Sequence, residues 1–455
     1  MDFIYALAVI LVIFEGIIIH CEGAPRQKQD APFLPDDLIE FIVSKTDFKT
    51  LHEAIRSYIV PPNGIVMSTI LQDRIIHILP EADEKIRGNK LGGITIGNYK
   101  GLISFFEKFG AQVKKIAISV DDNDDSHREI IQNIIKRYAK NFEDLLILGS
   151  DLDRFWDGIS DGQNDIIFPE VKKFQTKGDI IRNNFNLNLI FPKLESLTLT
   201  GNVADKNCLE NVKGLKELEL LTESIEEDQL DHILQNNKDM TRIILNRLNR
   251  TETIHSIANR LTKLKELAVE HPGENFLLRA NNSPVCKLPT VTHFSISFHP
   301  MDEVFEIGDL SFDLPHLKKL TLYGYQARDR IDNFIKHFKE LEILEFFVRS
   351  YDPVECIEKL KHIKEFTIYF YENRFESLKN MFKNFDKKSE LQILNFVNFP
   401  ESLYQKYEDK MKEINNHLKK LMKPIWTLSL DEQLDKGQMY LTLRREPRKC
   451  LSCRK

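Results

Sequence analysis

The reactive side chains of this chain stand at spacings that suit almost no chemistry. Asp121-x-Asn123-x-Asp125 copies the opening of a calcium loop, in which alternate oxygen ligands wrap one hard cation. Ser126 stands where the sharp turn needs glycine, and Gln132 where a bidentate glutamate closes such a site, so a solvated acidic loop is expected instead. Cys450-x-x-Cys453 is half of a zinc site with no second half and no thioredoxin-like helix around it, which leaves a local disulfide or two idle thiols. The 13 histidines show no ligand spacing. No Gly-x-Ser-x-Gly elbow, Gly-Lys-Ser/Thr phosphate loop, His-Glu-x-x-His helix or dinucleotide glycine fingerprint occurs. No catalytic residue, cofactor or metal is therefore assigned, and the chain is not expected to be an enzyme.

Recognition of another molecule is the remaining class, and it depends on the elements that would display side chains. With 42% hydrophobic and 29% charged residues, the chain has the composition of a folded protein. A net charge of -6 over 455 residues gives no whole-molecule attraction to nucleic acid or to anionic membranes. Internal repeats set the architecture. One phrase, apolar-x-x-apolar-x-apolar, recurs: Leu194-x-x-Leu197-x-Leu199 followed by Gly201-Asn202, Leu215-x-x-Leu218-x-Leu220, Leu264-x-x-Leu267-x-Val269 and Leu317-x-x-Leu320-x-Leu322. Weaker copies begin at Leu91, Val113, Phe142, Val171, Met240, Val291, Leu341, Ile363, Leu391 and Ile425, at intervals of 21 to 34 residues.

This is the phrasing of a leucine-rich repeat. Alternation over its last apolar pair makes a short strand with one buried face, and the first apolar residue packs the turn that enters it. Amphipathic stretches lie between the phrases, at Ile225 to Gln235, Arg328 to Phe338, Phe375 to Phe385 and Glu401 to Met422. The predicted fold is an α/β solenoid: a leucine-rich-repeat horseshoe with parallel strands on its concave side and helices on its convex side, closed by a helical N-terminal cap. The last long helix, the phrase at Ile425 and the strand-like Met439 to Leu443 are expected to cover the C-terminal end.

Residues between the apolar strand positions must point away from the core. They are Thr198 and Thr200, Glu217 and Glu219, Glu266 and Glu270, His293, Ser295 and Ser297, Lys319, Thr321 and Tyr323, Glu345 and Phe347, then Thr367 and Tyr369, with Ser196 and Glu365 beside them. Acidic groups with a few aromatics make a candidate strip for a protein ligand.

The first 23 residues differ from the rest. Phe3 to Ile19 is nearly all apolar, broken by Glu15 and Gly16, and His20-Cys21-Glu22-Gly23 follows. This is the profile of a signal peptide cleaved before Ala24, although Asp2 stands where a basic residue is usual. The expected organisation is a signal peptide over 1–23, a helical cap or degenerate F-box-like segment over 24–90, irregular repeats over 91–443 and a basic tail over 444–455. Secretion would leave Cys208, Cys286, Cys356, Cys450 and Cys453, an odd set in which the first three read as small apolar fillers. It would also expose two glycosylation sequons, at Asn249 and Asn281.

After that cleavage site comes Leu34-Pro35-Asp36-Asp37-Leu38-Ile39-Glu40-Phe41-Ile42, then Asp47-Phe48-x-x-Leu51. This resembles the opening of an F-box, and Leu91 to Ser119 is similar to the start of the repeats in insect F-box/leucine-rich-repeat proteins of the ribonuclease-inhibitor-like class. The resemblance covers nearly the whole mature chain. It implies that Leu34, Pro35, Leu38, Ile39 and Ile42 would meet the Skp1 adaptor of a ubiquitin ligase; a plain helical cap is the alternative, since Pro and carboxylates suit any helix start. Secreted relatives with a signal peptide ahead of a decayed F-box resemble the leucine-rich-repeat proteins of parasitoid-wasp venom and gall-midge saliva, which implies a secreted factor that binds a host protein and interferes with its signalling. No nucleic-acid or membrane partner is expected.

Overall fold

The apolar phrase positions build one sheet. A computed structural model describes residues 71–72, 74–79, 94–96, 99–120, 124–159, 166–179, 186–201, 207–221, 227–246, 248, 251–271, 285–297, 312–323, 338–347, 362–369, 390–397, 404–420, 426–433 and 438–445. The chain divides into two units, Met1–Thr69 and Ile70–Lys455, and all described residues belong to the second.

Its strands, in chain order, are β1 (Ile75–Ile78), β2 (Ile94–Ile96), β3 (Lys115–Ser119), β4 (Asp144–Asp151), β5 (Lys173–Asp179), β6 (Ser196–Thr200), β7 (Glu217–Leu220), β8 (Arg242–Asn246) and β9 (Glu266–Glu270). There follow β10 (Cys286–Lys287), β11 (His293–Ser297), β12 (Phe312–Asp313), β13 (Lys319–Tyr323), β14 (Ile343–Phe347), β15 (Glu365–Tyr369), β16 (Ile393–Val397), β17 (Trp426–Gln433) and β18 (Gln438–Arg445). Sixteen of these described strands form one sheet in the order β2-β1-β3-β4-β5-β6-β7-β8-β9-β11-β13-β14-β15-β16-β18-β17, while β10 and β12 make a small parallel pair apart. Every neighbouring pair from β2 to β16 is parallel, and only β18 runs against the rest. Strands in nearly sequential order, joined by crossovers, are an α/β repeat arrangement.

Register brings equivalent residues together. The middle apolar position stacks as Ile116, Leu145, Phe174, Leu197, Leu218, Ile243, Leu267, Phe294, Leu320, Leu344, Phe366 and Leu394, none exposing more than 1% of its surface. The last position makes a second buried column from Ile118 to Phe396, and the first a third from Val113 to Leu391. Each such side chain contributes about 1.5–3 kcal/mol by leaving water. Each stacks on its equivalents in adjacent repeats, and in such an array no unit is stable alone.

The backbone at the strand entries repeats the same logic. The carbonyl of Lys114 accepts from the N–H groups of Glu143 and Asp144, that of Lys172 from Glu195 and Ser196, and the series continues to Gln392 and Arg445. Side chains at this position alternate in sign over part of its length: Lys114 to Glu143 is 3.2 Å, Lys172 to Glu143 3.7 Å and Lys216 to Glu195 2.9 Å. Such exposed pairs are worth roughly 0–1 kcal/mol each, so they favour correct pairing more than they add stability.

The crossovers carry helices α1 (Tyr99–Phe109), α2 (Asp125–Tyr138), α3 (Asp153–Ile159), α4 (Leu187–Ile190), α5 (Asn207–Glu210), α6 (Glu227–Asn236) and α7 (Thr251–Arg260), with α8 (Tyr404–Lys420) ahead of the last two strands. Of the expected helices, 375–385 and 328–337 lie outside the described residues. Asp124 caps α2, accepting from His127 N–H at 2.9 Å. Gln132, buried on α2, donates through Nε2 to the carbonyls of Arg154 and Phe155 at 3.1 Å each, tying α3 to α2. Ahead of β6, where α4 shrinks to one turn, aromatic rings pack together: Trp156 meets Phe168, Phe174 and Phe191, and Phe174 stacks on Phe191 at 4.5 Å between centroids. Asn237, after α6, donates to the carbonyls of Val212 and Ile233 and accepts from Leu215 N–H, all at 2.8 Å.

The two ends depart from the phrase. The sheet takes in Ile75–Ile78, ahead of the boundary expected at residue 91, because Ile76 and Ile78 align in register with Ile116 and Ile118. At the other end, the phrase beginning at Ile425 does not become the next parallel rung. β18 takes that place antiparallel, setting Leu443 beside Leu394 and Leu441 beside Phe396, and β17 lies outside it. Asn415 of α8 clips the helix to β17, bonding the Trp426 carbonyl at 2.7 Å and the Trp426 N–H at 3.0 Å.

Two substitutions test the stacking. Thr176 occupies a core position between Ile147 and Leu199, and its buried hydroxyl makes no hydrogen bond; Thr176→Val is expected to raise stability by about 1 kcal/mol in denaturant melts. Gly149, Gly178 and Gly201 lie close to the C-terminal ends of the adjacent strands β4, β5 and β6; Gly178 has φ +142 and Gly201 φ +129, and a Cβ on Gly178 would run into the carbonyl oxygen of Gly149. Gly178→Ala is expected to lower stability by about 1–3 kcal/mol in the same measurement.

Candidate recognition face

Alternation along each strand sends every second residue to the side opposite the buried columns. The residues expected to bind a partner all fall in strands of the one sheet, on seven strands, β6, β7, β9, β11, β13, β14 and β15, which with β8 between β7 and β9 make a continuous run of eight. Thr198 aligns with Glu219, Ser295 with Thr321, Thr321 with Glu345, and Ser297 with Tyr323 and then Phe347. Glu345 aligns with Thr367, which extends the row into β15 beside Tyr369.

Many of these side chains are engaged with one another. Ser196 Oγ donates to Glu217 at 3.1 Å. Thr321 donates to Glu345 at 2.9 Å, and Lys319 pairs with the other oxygen of the same carboxylate at 2.9 Å. Asn395 donates to Glu365 at 2.9 Å and to Thr367 Oγ1 at 3.1 Å. Thr321 and Thr367 are thereby covered, exposing 5% and 3%, and hold their neighbours in place more than they meet a visitor. Thr198, Thr200, Ser295, Ser297 and Tyr323 are half-exposed, and His293 is exposed.

Strand β8 supplies residues that the sequence analysis did not single out. Arg242 reaches Glu219 at 3.3 Å and Glu266 at 3.2 Å, bridging the strands on either side. Burial of its guanidinium works against the charge, but the carboxylates of Glu266 and Glu219 prevail and hold its pKa above the ordinary value. Ile244 and Asn246 follow it on the same face. The signal was present in the weak phrase at Met240, whose intervening residues obey the same alternation. On the basic side of the face, Lys115 and Lys173 occupy equivalent positions with Asp144 between them, and Lys177 lies further along β5, aligned with Leu148 and Thr200. Burial raises the Asp144 pKa against the pull of Lys173 and Lys115.

Other candidate groups are placed away from this face or outside the described residues. Cys208 and Cys286 are buried, and Cys286 Sγ lies 3.6 Å from the Ile254 carbonyl with its thiol pKa pushed up by burial. Asp125 starts α2 and pairs with Arg128, whereas residues 121–123 are not described. Asn249, Asn281, Cys356, Cys450, Cys453 and the F-box-like Leu34, Pro35, Leu38, Ile39 and Ile42 also lie outside the described residues. Among the described residues, no group of three or more His, Cys, Asp or Glu side chains is placed to hold a metal ion, and no helix is long and apolar enough to cross a membrane.

Glu270 generates a pH prediction. Burial raises its pKa above the ordinary glutamate value; His271 opposes this and Glu219 adds to it. A carboxyl whose pKa is raised on folding costs stability when ionised, and the cost disappears once both folded and unfolded forms are protonated. Glu270→Gln is therefore expected to melt above wild type at neutral pH. The difference should shrink as pH falls through the raised pKa and vanish below about pH 4, as thermal melts across pH would show. The chain matches no known family model and no curated protein, so the chemistry of this face is read from its own residues.

Proposed function

We propose that the chain is a secreted leucine-rich-repeat recognition protein that holds a protein partner on the strand face of a curved solenoid. The observation that carries this reading is the in-register array of mostly polar outward residues from Thr198 to Tyr323, in which Thr198, Glu219, Ser295 and Tyr323 reach solvent while Ala268 and Thr321 are buried. A packed parallel sheet presents them as a fixed array, and a fixed array loses little side-chain entropy on binding. If the sheet curves as repeats with thin strand sides and thick helical sides do, this face is concave and gathers contacts onto one ligand. On this reading residues 1–23 route the chain for secretion.

The test is site-specific photocrosslinking of the full chain. A photoreactive phenylalanine analogue placed at Ser295 or Tyr323 is expected to yield the same covalent protein adduct, while one at Asp228 on α6 yields none. Tyr323→Ala should weaken capture of that adduct's protein at least tenfold, about 1.4 kcal/mol. Adducts from the helical position alone, or undiminished capture by the alanine variant, would overturn the assignment.

A further inference from the structure

The centre of the face has a character that its flanks lack. On β7, β8 and β9 the outward positions carry Glu217, Glu219, Glu266 and Glu270 against the single cation Arg242. Arg242 is already committed to two of them, Glu219 and Glu266. The strands on either side present only Ser196, Thr198 and Thr200, or His293, Ser295 and Ser297. Between the carboxylates the middle row is apolar: Ile244 aligns with Glu219 on one side and with Ala268 on the other, and its side chain is half-exposed. Solvent reaches this region, since the side chains of Arg242 and Glu266 expose 31% and 41%.

We infer that this part of the sheet takes an arginine-bearing extended segment of the partner, its alkyl stem laid over Ile244 and Ala268 and its guanidinium set between Glu219 and Glu270. The inference rests on the proposed reading of the face and names the chemistry of what binds there. An apolar floor with acidic walls matches the two halves of an arginine side chain, which lays its methylenes on apolar surface and keeps its charged end among acceptors. Small neighbours at Ala268, Thr198 and Ser295 leave room for the backbone that carries it. Burial is the main cause disfavouring ionisation of Glu270, opposed by His271, and Glu219 adds a smaller repulsion that a cation placed between the two carboxylates removes. Guanidinium suits the position better than ammonium because its planar fork serves two carboxylates at once.

The test uses the full chain with a fluorescein-labelled Ser-Arg repeat peptide of about ten residues and its Ser-Glu counterpart, read by fluorescence anisotropy at about 50 mM and about 300 mM salt. Wild type should bind the Ser-Arg peptide, ignore the Ser-Glu peptide and bind more weakly at the higher salt. Glu219→Gln with Glu270→Gln should weaken binding roughly tenfold, and Ile244→Ser should weaken it several-fold at roughly unchanged salt dependence. Glu270→Gln alone, expected to fold at least as well as wild type, serves should the double variant not fold. Asp157→Asn with Asp228→Asn removes the same charge from the helices and should change binding less than about twofold. No binding by wild type, full binding by the Gln variants, or an equal loss in the helical control overturns the inference. If the peptide fails while Ser295 still crosslinks to a protein, the face remains a binding surface and only its preference for a cation falls.

Discussion

The apolar strand residues described in this protein stack in register on their equivalents in the repeats before and after them. Leu218 lies between Leu197 and Ile243, Ile243 between Leu218 and Leu267, and the chain of dependence runs unbroken to Leu394. The same carbonyl at each strand entry accepts two N–H groups of the following repeat, so backbone and side chains impose one spacing. Stability in such an array is a sum of neighbour terms, and a fault in one rung is felt first by the two that touch it. The crossovers are freer. They range from the 14-residue α2 to the four-residue α4 and α5, and rings gather around Trp156 beside α4.

That constraint also makes the opposite face. Because strand side chains alternate, whatever is fixed to bury Leu197 and Leu199 also fixes Ser196, Thr198 and Thr200 on the other side. Adjacent strands bring these rows within reach of one another, and they respond by pairing: Thr321 with Glu345, Asn395 with Thr367, Arg242 with Glu219 and Glu266. A side chain satisfied by its neighbour offers less to a ligand. The positions with most left to offer are those where pairing is incomplete, and the excess of carboxylates over β7 to β9 is the clearest of them. Burial raises the Glu270 pKa there, opposed by His271 and reinforced by Glu219.

The ends obey a different requirement, since a stack of identical rungs leaves an apolar surface at each terminus. At the C-terminal end an antiparallel hairpin supplies it. β18 continues the two inner columns with Leu443 and Leu441, and α8 is pinned against β17 through Asn415. An antiparallel strand can extend the buried columns without offering another parallel rung to a further repeat.

The apolar phrase by itself determined the strands, their register and which of their residues face inward, because a period-2 pattern with one buried side admits a single register. Twelve starts from Val113 to Leu391 needed no knowledge of their neighbours to be placed. What only tertiary structure decided is what depends on who lies next door. Ile75–Ile78 lacks the full phrase and joins the sheet through pairing with β2 and β3. The phrase at Ile425 yields its place to β18, which pairs antiparallel with β16 and sets Leu443 and Leu441 beside Leu394 and Phe396. Thr321 and Thr367 lie in outward rows yet are covered, and Arg242 becomes the bridge between two carboxylates, through residues about 23 to 28 positions away along the chain. Alternation along one strand is local and can be read from it, whereas the partner of each side chain is set across strands and cannot.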